Sequence, residues 1–240
     1  MRKVWVGLAA SLVLAACEGR LSQFGQNFGA AGSQSGSKKV GQTEATVTRN
    51  KTRILAVDGF CVDPVSTRSG TAEAFLVFGN CAAITGNPDQ PQPYLRAVAT
   101  AAVTDSGVTA EGAVRPQVAN LNAYFRTAAG RAALSRSNVA DTVEVLDGFA
   151  DDGALFLRVR DSSDTSFEGA AETYWRAYFD AGNSVVALSV IGFSQSPISS
   201  GESLDVLRSF VDRNQRAPAA LTSIATNNPA DDGPLKRLFP

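Results

Sequence analysis

The sequence predicts an α+β domain, an antiparallel sheet with helices packed on it. Three observations carry this. Four strand-period runs follow one another between residues 142 and 191, separated by turn-forming residues. Helical periodicity brackets them, from Pro116 to Ala128 on one side and from Ser199 to Val211 on the other. A meander held between amphipathic helices buries its apolar faces by layering helix on sheet.

The elements follow in order. Ile54 to Val57 is a short apolar strand, and Ala74–Phe78 and Leu95–Val103 are two more. Pro116 suits the first turn of a helix, where its missing N–H costs nothing. Val118, Leu121, Phe125 and Ala128 then fall on one helical face, with Gly130 placed to end the helix. Thr142–Leu146 opens the meander, and Asp151-Asp152-Gly153 is a hairpin-type turn. Ala154–Arg160 alternates, with Leu155, Leu157 and Val159 inward and Phe156, Arg158 and Arg160 outward. Thr173–Asp180 alternates too. Trp175, Ala177 and Phe179 form its apolar face, which places Trp175 under a helix, and Tyr174, Arg176 and Tyr178 form its polar face. Asp180-Ala181-Gly182-Asn183 turns the chain. Ser184–Ile191 is apolar on both faces, the pattern of a central strand covered on both sides. Ser199 and Glu202 have capping-box spacing, and Leu204, Leu207 and Val211 line the closing helix beside Val206 and Phe210.

Composition excludes much chemistry. The 240 residues carry 22 Lys+Arg against 23 Asp+Glu, a net charge of -1, so no basic surface for nucleic acid is expected. Histidine is absent, which removes Ser-His-Asp, Cys-His and His-ligated metal sites from this chain. Three cysteines cannot build a four-cysteine zinc or iron–sulfur site. Past residue 16 only Lys38, Lys39, Lys51 and Lys236 remain, none in the expected sheet, so lysine-based catalysis has no candidate. No Walker loop or GxGxxG occurs, and no cofactor is expected.

The first residues read as an export signal. Arg2 and Lys3 precede an apolar run from Val4 to Ala16, shorter than the about 20 residues a membrane span needs. Leu14-Ala15-Ala16-Cys17 resembles the bacterial lipobox. That resemblance implies cleavage before Cys17, a diacylglyceryl group on its sulfur and often a third acyl chain on its amino group. Two or more chains anchor stably, so the membrane partner would be held through Cys17 alone. In enterobacterial lipoproteins, Asp after the cysteine favours retention at the inner membrane. Glu18 instead leans toward the outer membrane, facing the periplasm. The expected organisation is a signal peptide over 1–16, a Gly/Ser/Gln-rich tether over 17–45, one domain over 46–216 and an unstructured tail over 217–240. As a random coil the tether would reach roughly 25–30 Å.

Cys61 and Cys81 are left once Cys17 is assigned to lipid. In an oxidising compartment an even pair closes, so a structural disulfide is expected. A redox pair would need CxxC spacing or a neighbouring His or Lys, and neither is present. Arg158, Arg160 and Arg176, outward on adjacent strands, form a possible patch for an anionic ligand, with ordinary salt bridging as the plainer reading. Asp161-Ser162-Ser163-Asp164 offers oxygen atoms to calcium without the spacing of a known loop. Asp151, Asp152, Asp161, Asp164, Glu168, Glu172 and Asp180 are the candidates for carboxylate catalysis, against a plainer role in turns and solvated edges.

The run from Trp175 to Val190, WRAYFDAGNSVVALSV, followed by a loop and a closing helix, resembles the C-terminal half of PsbP-like domains. Gly59-Phe60-Cys61-Val62-Asp63-Pro64, Gly79-Asn80-Cys81 and Gly130-Arg131-Ala132-Ala133-Leu134 resemble motifs of a family of alphaproteobacterial lipoproteins. The resemblance covers about residues 53–215. It implies an α/β/α sandwich, known from photosystem accessory proteins and some envelope lipoproteins, and a binding or assembly role. The expected function is therefore a non-enzymatic, membrane-anchored envelope module with a protein partner. The alternative is a carboxylate-dependent hydrolase acting on cell-wall glycan.

Overall fold

The computed structural model describes residues 39–105, 114–163 and 169–226, with side chains as far as residue 216. The chain begins with a hairpin, β1 (Glu44–Val47) and β2 (Thr52–Leu55). There follow β3 (Phe60–Val62), β4 (Arg68–Ser69), β5 (Glu73–Asn80), the short helix α1 (Cys81–Thr85) and β6 (Ala97–Asp105). Two helices come next, α2 (Val114–Phe125) and α3 (Ala128–Leu134). The meander is β7 (Val143–Asp151), β8 (Ala154–Asp161), β9 (Thr173–Ala181) and β10 (Ser184–Gly192), and α4 (Ser200–Thr226) closes the described chain.

The sheet order is β3-β5-β6-β10-β9-β8-β7, with every neighbouring pair antiparallel and β4 added on β5. The two-faced apolar strand β10 is its centre, as the sequence predicts. Asp152 (φ +41°) and Gly153 (φ +76°) form the two-residue turn between β7 and β8, the twin positive φ of a hairpin whose twist matches its strands. Gly182 (φ +58°) opens the β9–β10 turn.

Alternation along the strands divides the core into two layers. Phe156, Trp175, Ala177, Phe179 and Leu188 pack with Val206, Leu207 and Phe210 of α4. Leu155, Leu157, Val159 and Tyr174 pack with Val118 and Phe125 of α2 and Leu134 of α3. Helices therefore cover both sheet faces. Phe210 sets its ring against Phe60 (5.6 Å, 67°) and Phe78 (5.5 Å, 56°), which ties α4 to β3 and β5. On the other face Phe125 stacks on Tyr178 at 4.7 Å. Such pairs add about 0.5–1.5 kcal/mol beyond their buried area.

Four expectations change. Phe156 is not outward: it is 2% exposed beneath α4. Tyr174, assigned to a polar face, is 2% exposed, because α2 and α3 cover that face too. Gly130 does not end a helix. It lies inside α3, which Thr127 caps by accepting the Gly130 N–H at 3.1 Å. A Cβ at Gly130 would collide with the Tyr124 carbonyl oxygen and the Phe125 Cα. The glycine is needed for close approach to the end of α2, not for a left-handed cap. Finally, α4 continues past Arg216 to Thr226, into the segment read as an unstructured tail.

The N-terminal boundary also moves. Residues 39–45, read as the end of the tether, are ordered. The Gln42 carbonyl accepts the Val62 N–H (2.8 Å), the Thr43 carbonyl accepts the Ala56 N–H (2.7 Å) and the Gly41 N–H donates to Gln90 Oε1 (3.1 Å). The hairpin that follows is held at several points, the Arg49 N–H donating to the Thr71 carbonyl (2.7 Å) among them. Asp105 accepts bonds from Thr48, from the Asn50 N–H (3.2 Å) and from Ser184 (3.0 Å). Asn214 of α4 grips Leu55: its Oδ1 accepts the Leu55 N–H at 2.8 Å and its Nδ2 donates to the Leu55 carbonyl at 3.0 Å.

Candidate functional site

A cavity of about 400 Å³ opens where β9 begins, β10 ends and α4 starts. Its polar lining includes Arg158, Glu172, Thr173, Ser199 and Ser200, and its apolar lining includes Trp175, Phe193, Pro197 and Ile198. Its shape follows from local chemistry. Ser199 and Glu202 form the expected capping box: the Ser199 hydroxyl accepts the Glu202 N–H (3.2 Å), and the Glu202 carboxylate accepts the Ser199 N–H (3.0 Å). The Ser199 hydroxyl and then its N–H hold the Glu202 carboxyl below the usual glutamate range. The loop between β10 and α4 folds tightly onto the end of its strand. Phe193 bridges to Ala170 and Ser196, and a Cβ at Gly192 would meet Ile198 Cγ1 at 2.9 Å. Trp175 lies 5% exposed under the head of α4, as the alternation predicts, and its indole N–H donates to both the carbonyl and the hydroxyl of Ser200 at 3.0 Å.

The three arginines of the expected anionic patch do not come together. Residues directly opposite in adjacent strands share a sheet face. Arg158 stands opposite Trp175 and Arg160 opposite Thr173, whereas Arg176 stands opposite Leu157. Arg158 and Arg160 therefore occupy the α4 face and Arg176 the other one. Arg160 is committed to Glu144 at 2.5 Å. Arg158 lines the cavity and has no ion pair or hydrogen bond among the described residues. Alternation groups the residues of β8 and of β9 by face, but the pairing register, which decides which group meets α4, is a tertiary fact.

Arg176 instead joins a polar cluster. Its Nε donates to Ser189 Oγ at 2.8 Å. Its guanidinium lies 5.4 Å from the centre of the Tyr174 ring, with that of Arg136 at 5.2 Å. Burial alone would lower the Arg176 pKa, but the phenols of Tyr174 and Tyr178 and the Asp161 charge outweigh it and raise it. Burial pushes the Tyr178 phenol up. Asp161, fully buried, accepts the Arg136 N–H (2.9 Å), the Ser163 N–H (3.0 Å) and the Ser163 hydroxyl (2.6 Å). Burial would raise its carboxyl, yet those bonds and the nearby Arg136 charge bring it below the aspartate range.

The remaining carboxylates have structural neighbours. Asp151 pairs with Arg208 at 3.5 Å and Asp152 with Arg115 at 3.5 Å. Asp180, at the end of β9, accepts the N–H groups of Val114 (2.8 Å) and Arg115 (3.1 Å), capping α2 from a distance in sequence. Glu172 lines the cavity. Among the described residues no group of three His, Cys, Asp or Glu is placed to hold a metal ion. Asp164, Glu168, Cys17 with its lipobox, and the C-terminal segment from 227 lie outside the described residues.

Cys61 and Cys81 are joined in a disulfide with a Cα–Cα distance of 4.8 Å, and are 1% and 2% exposed. It ties β3 to the first residue of α1. Gly41 crosses directly over it, so closely that a Cβ there would collide with the Cys61 sulfur. Among the described residues no helix is long and apolar enough to cross a membrane. Sequence reasoning missed the cavity's hydroxyl groups. The run Ser194-Gln195-Ser196-Pro197-Ile198-Ser199-Ser200 was read only for its cap, and no local signal brings it against Arg158. No family model, curated protein or solved structure matches this chain.

Proposed function

We propose that this chain is a lipid-anchored protein of the bacterial envelope, whose domain faces the periplasm as a non-enzymatic binding or assembly module of PsbP-like type. The anchoring half of the reading rests on Leu14-Ala15-Ala16-Cys17 after a charged start and a short apolar run. The observation that supports binding is the cavity at the head of α4, whose mixed aromatic and polar lining and about 400 Å³ volume fit a small-molecule site. The outer membrane is the favoured location, from Glu18. The rival, a glycan hydrolase, needs two carboxyl groups about 5–9.5 Å apart across one cleft. Among the described residues the cavity is lined by a single carboxylate, Glu172.

Fractionation of cells making the chain and its Cys17→Ala variant tests the anchor. The natural chain is expected with the outer-membrane fraction, carrying an alkyne-palmitate label. The variant is expected in the soluble fraction without label. A variant that stays membrane-bound through a salt wash would overturn lipid anchoring. Release of sugar fragments from purified cell wall, lost in Glu172→Gln, would favour the hydrolase.

A further inference from the structure

We propose that the cavity at the head of α4 binds a small monocarboxylate with an apolar body, its carboxylate held by Arg158 and Ser200. This rests on the reading of the domain as a binding module and names the ligand chemistry of that site.

The lining offers donors. Arg158 is a donor-only guanidinium, and among the described residues no carboxylate or carbonyl takes its N–H groups. Its neighbour on the same strand, Arg160, is already paired with Glu144. The Ser200 hydroxyl accepts the Trp175 indole N–H, so its own proton is left to point at an acceptor. Two such donors at one cavity call for an oxyanion, and the planar fork of a guanidinium matches the two oxygens of a carboxylate.

The other lining residues select among oxyanions. Glu172 is the carboxylate of the lining. It is exposed to water, which screens it, whereas Arg158 is partly buried and less screened. With Asp147 opposite Arg158 on β7 and Glu172 in the lining, both exposed and screened by water, one guanidinium suits a single negative charge and disfavours a phosphate dianion. The apolar wall of Trp175, Phe193, Pro197 and Ile198 then asks for hydrocarbon behind the head group. The capping box has satisfied the Glu202 N–H internally, so the helix terminus is a minor contributor and Arg158 the principal one.

The test is calorimetric titration of octanoate into the full chain carrying Cys17→Ala and Trp5→Phe, at fixed ionic strength. Saturable binding is expected. Arg158→Gln should weaken it about tenfold or more, the scale of a lost hydrogen bond to a charged group. Ser200→Ala should weaken it about threefold, and Glu172→Gln should tighten it. Arg160→Gln should leave it unchanged. Thermal melts show whether each variant is folded. 2-Bromooctanoate, which carries its bromine beside the head group, should quench Trp175, whose indole N–H touches Ser200. Octanol binding as tightly as octanoate, inorganic phosphate binding more tightly, undiminished affinity in folded Arg158→Gln, or binding without quenching would each overturn the proposal. Those outcomes leave the anchor test on Cys17 untouched, so the two readings fail separately.

Discussion

Replacing Asn214 by alanine removes three hydrogen bonds from a side chain with no solvent exposure. Two of them go to the N–H and carbonyl of Leu55, at 2.8 and 3.0 Å, and the third goes from Nδ2 to the Phe210 carbonyl at 2.8 Å. The Phe210 carbonyl can keep its helical partner, so the loss falls on Leu55. Each net hydrogen bond is worth about 0.5–1.5 kcal/mol, and a fully buried group left without a partner costs about 1–3 kcal/mol. Leu55 is partly exposed, so water recovers some of this. The expected destabilisation is about 2–4 kcal/mol, a large part of a typical 5–15 kcal/mol. Urea unfolding followed by far-ultraviolet circular dichroism measures it, as a midpoint about 1–2 M lower with an unchanged slope. Asn214→Leu, similar in volume, separates hydrogen bonding from packing and should be nearly as unstable. If Asn214→Ala cost under about 1 kcal/mol, or Asn214→Leu matched the natural chain, α4 would not hold the hairpin through this amide.

Three further outcomes follow from the same structure. Asp180→Ala removes the remote cap of α2 and should cost about 1 kcal/mol, lowering the melting temperature by about 2–4 °C; no shift in a calorimetric scan would refute the capping role. Asp161 has a lowered carboxyl pKa when folded, so its stabilisation is complete above its unfolded value and fades as pH falls below about 4. Asp161→Asn should therefore cost more at pH 7 than at pH 2.5, and equal costs in urea titrations at the two values would contradict the shift. Trp175, buried beneath α4, should emit blue-shifted fluorescence that iodide quenches poorly, and Trp175→Ala should cost about 3–5 kcal/mol; red-shifted, readily quenched emission would place the indole in water.

What the sequence makes legible is whatever a single segment decides. The apolar run of β10 marks it as central because both of its faces must be covered. Ser199 and Glu202 announce the start of α4 because both halves of a capping box lie within one turn. Trp175 is placed correctly because Ala177 and Phe179 share its face. Partnership between distant segments is where the reading stops. Nothing local says that Arg158 faces Trp175 while Arg176 faces Leu157, since that depends on strand register. Gly130 looks like a helix end because glycine there serves an inter-helix contact whose other side is the Tyr124 carbonyl. Asn214, in a helix whose inward face is apolar apart from Ser203, looks like a surface residue until β2 is laid beside it. The cavity inherits this limit, being assembled from β8, β9 and the approach to α4.

The crossing of Gly41 over the Cys61–Cys81 bond bears on how the domain carries tension. A pull applied at Lys39 first meets residues 39–43 and the β1–β2 hairpin, which are held by hydrogen bonds. These can peel away in turn. From Lys39 to Cys61 that frees at most about 80 Å of chain, at about 3.3–3.6 Å per residue. The load then reaches a covalent link that joins β3 to the first residue of α1, and the strands between those two cysteines cannot be drawn out as extended chain. The disulfide thus withholds the segment between Cys61 and Cys81 from any extension and hands the load directly to α1 and, through it, to β6 inside the sheet.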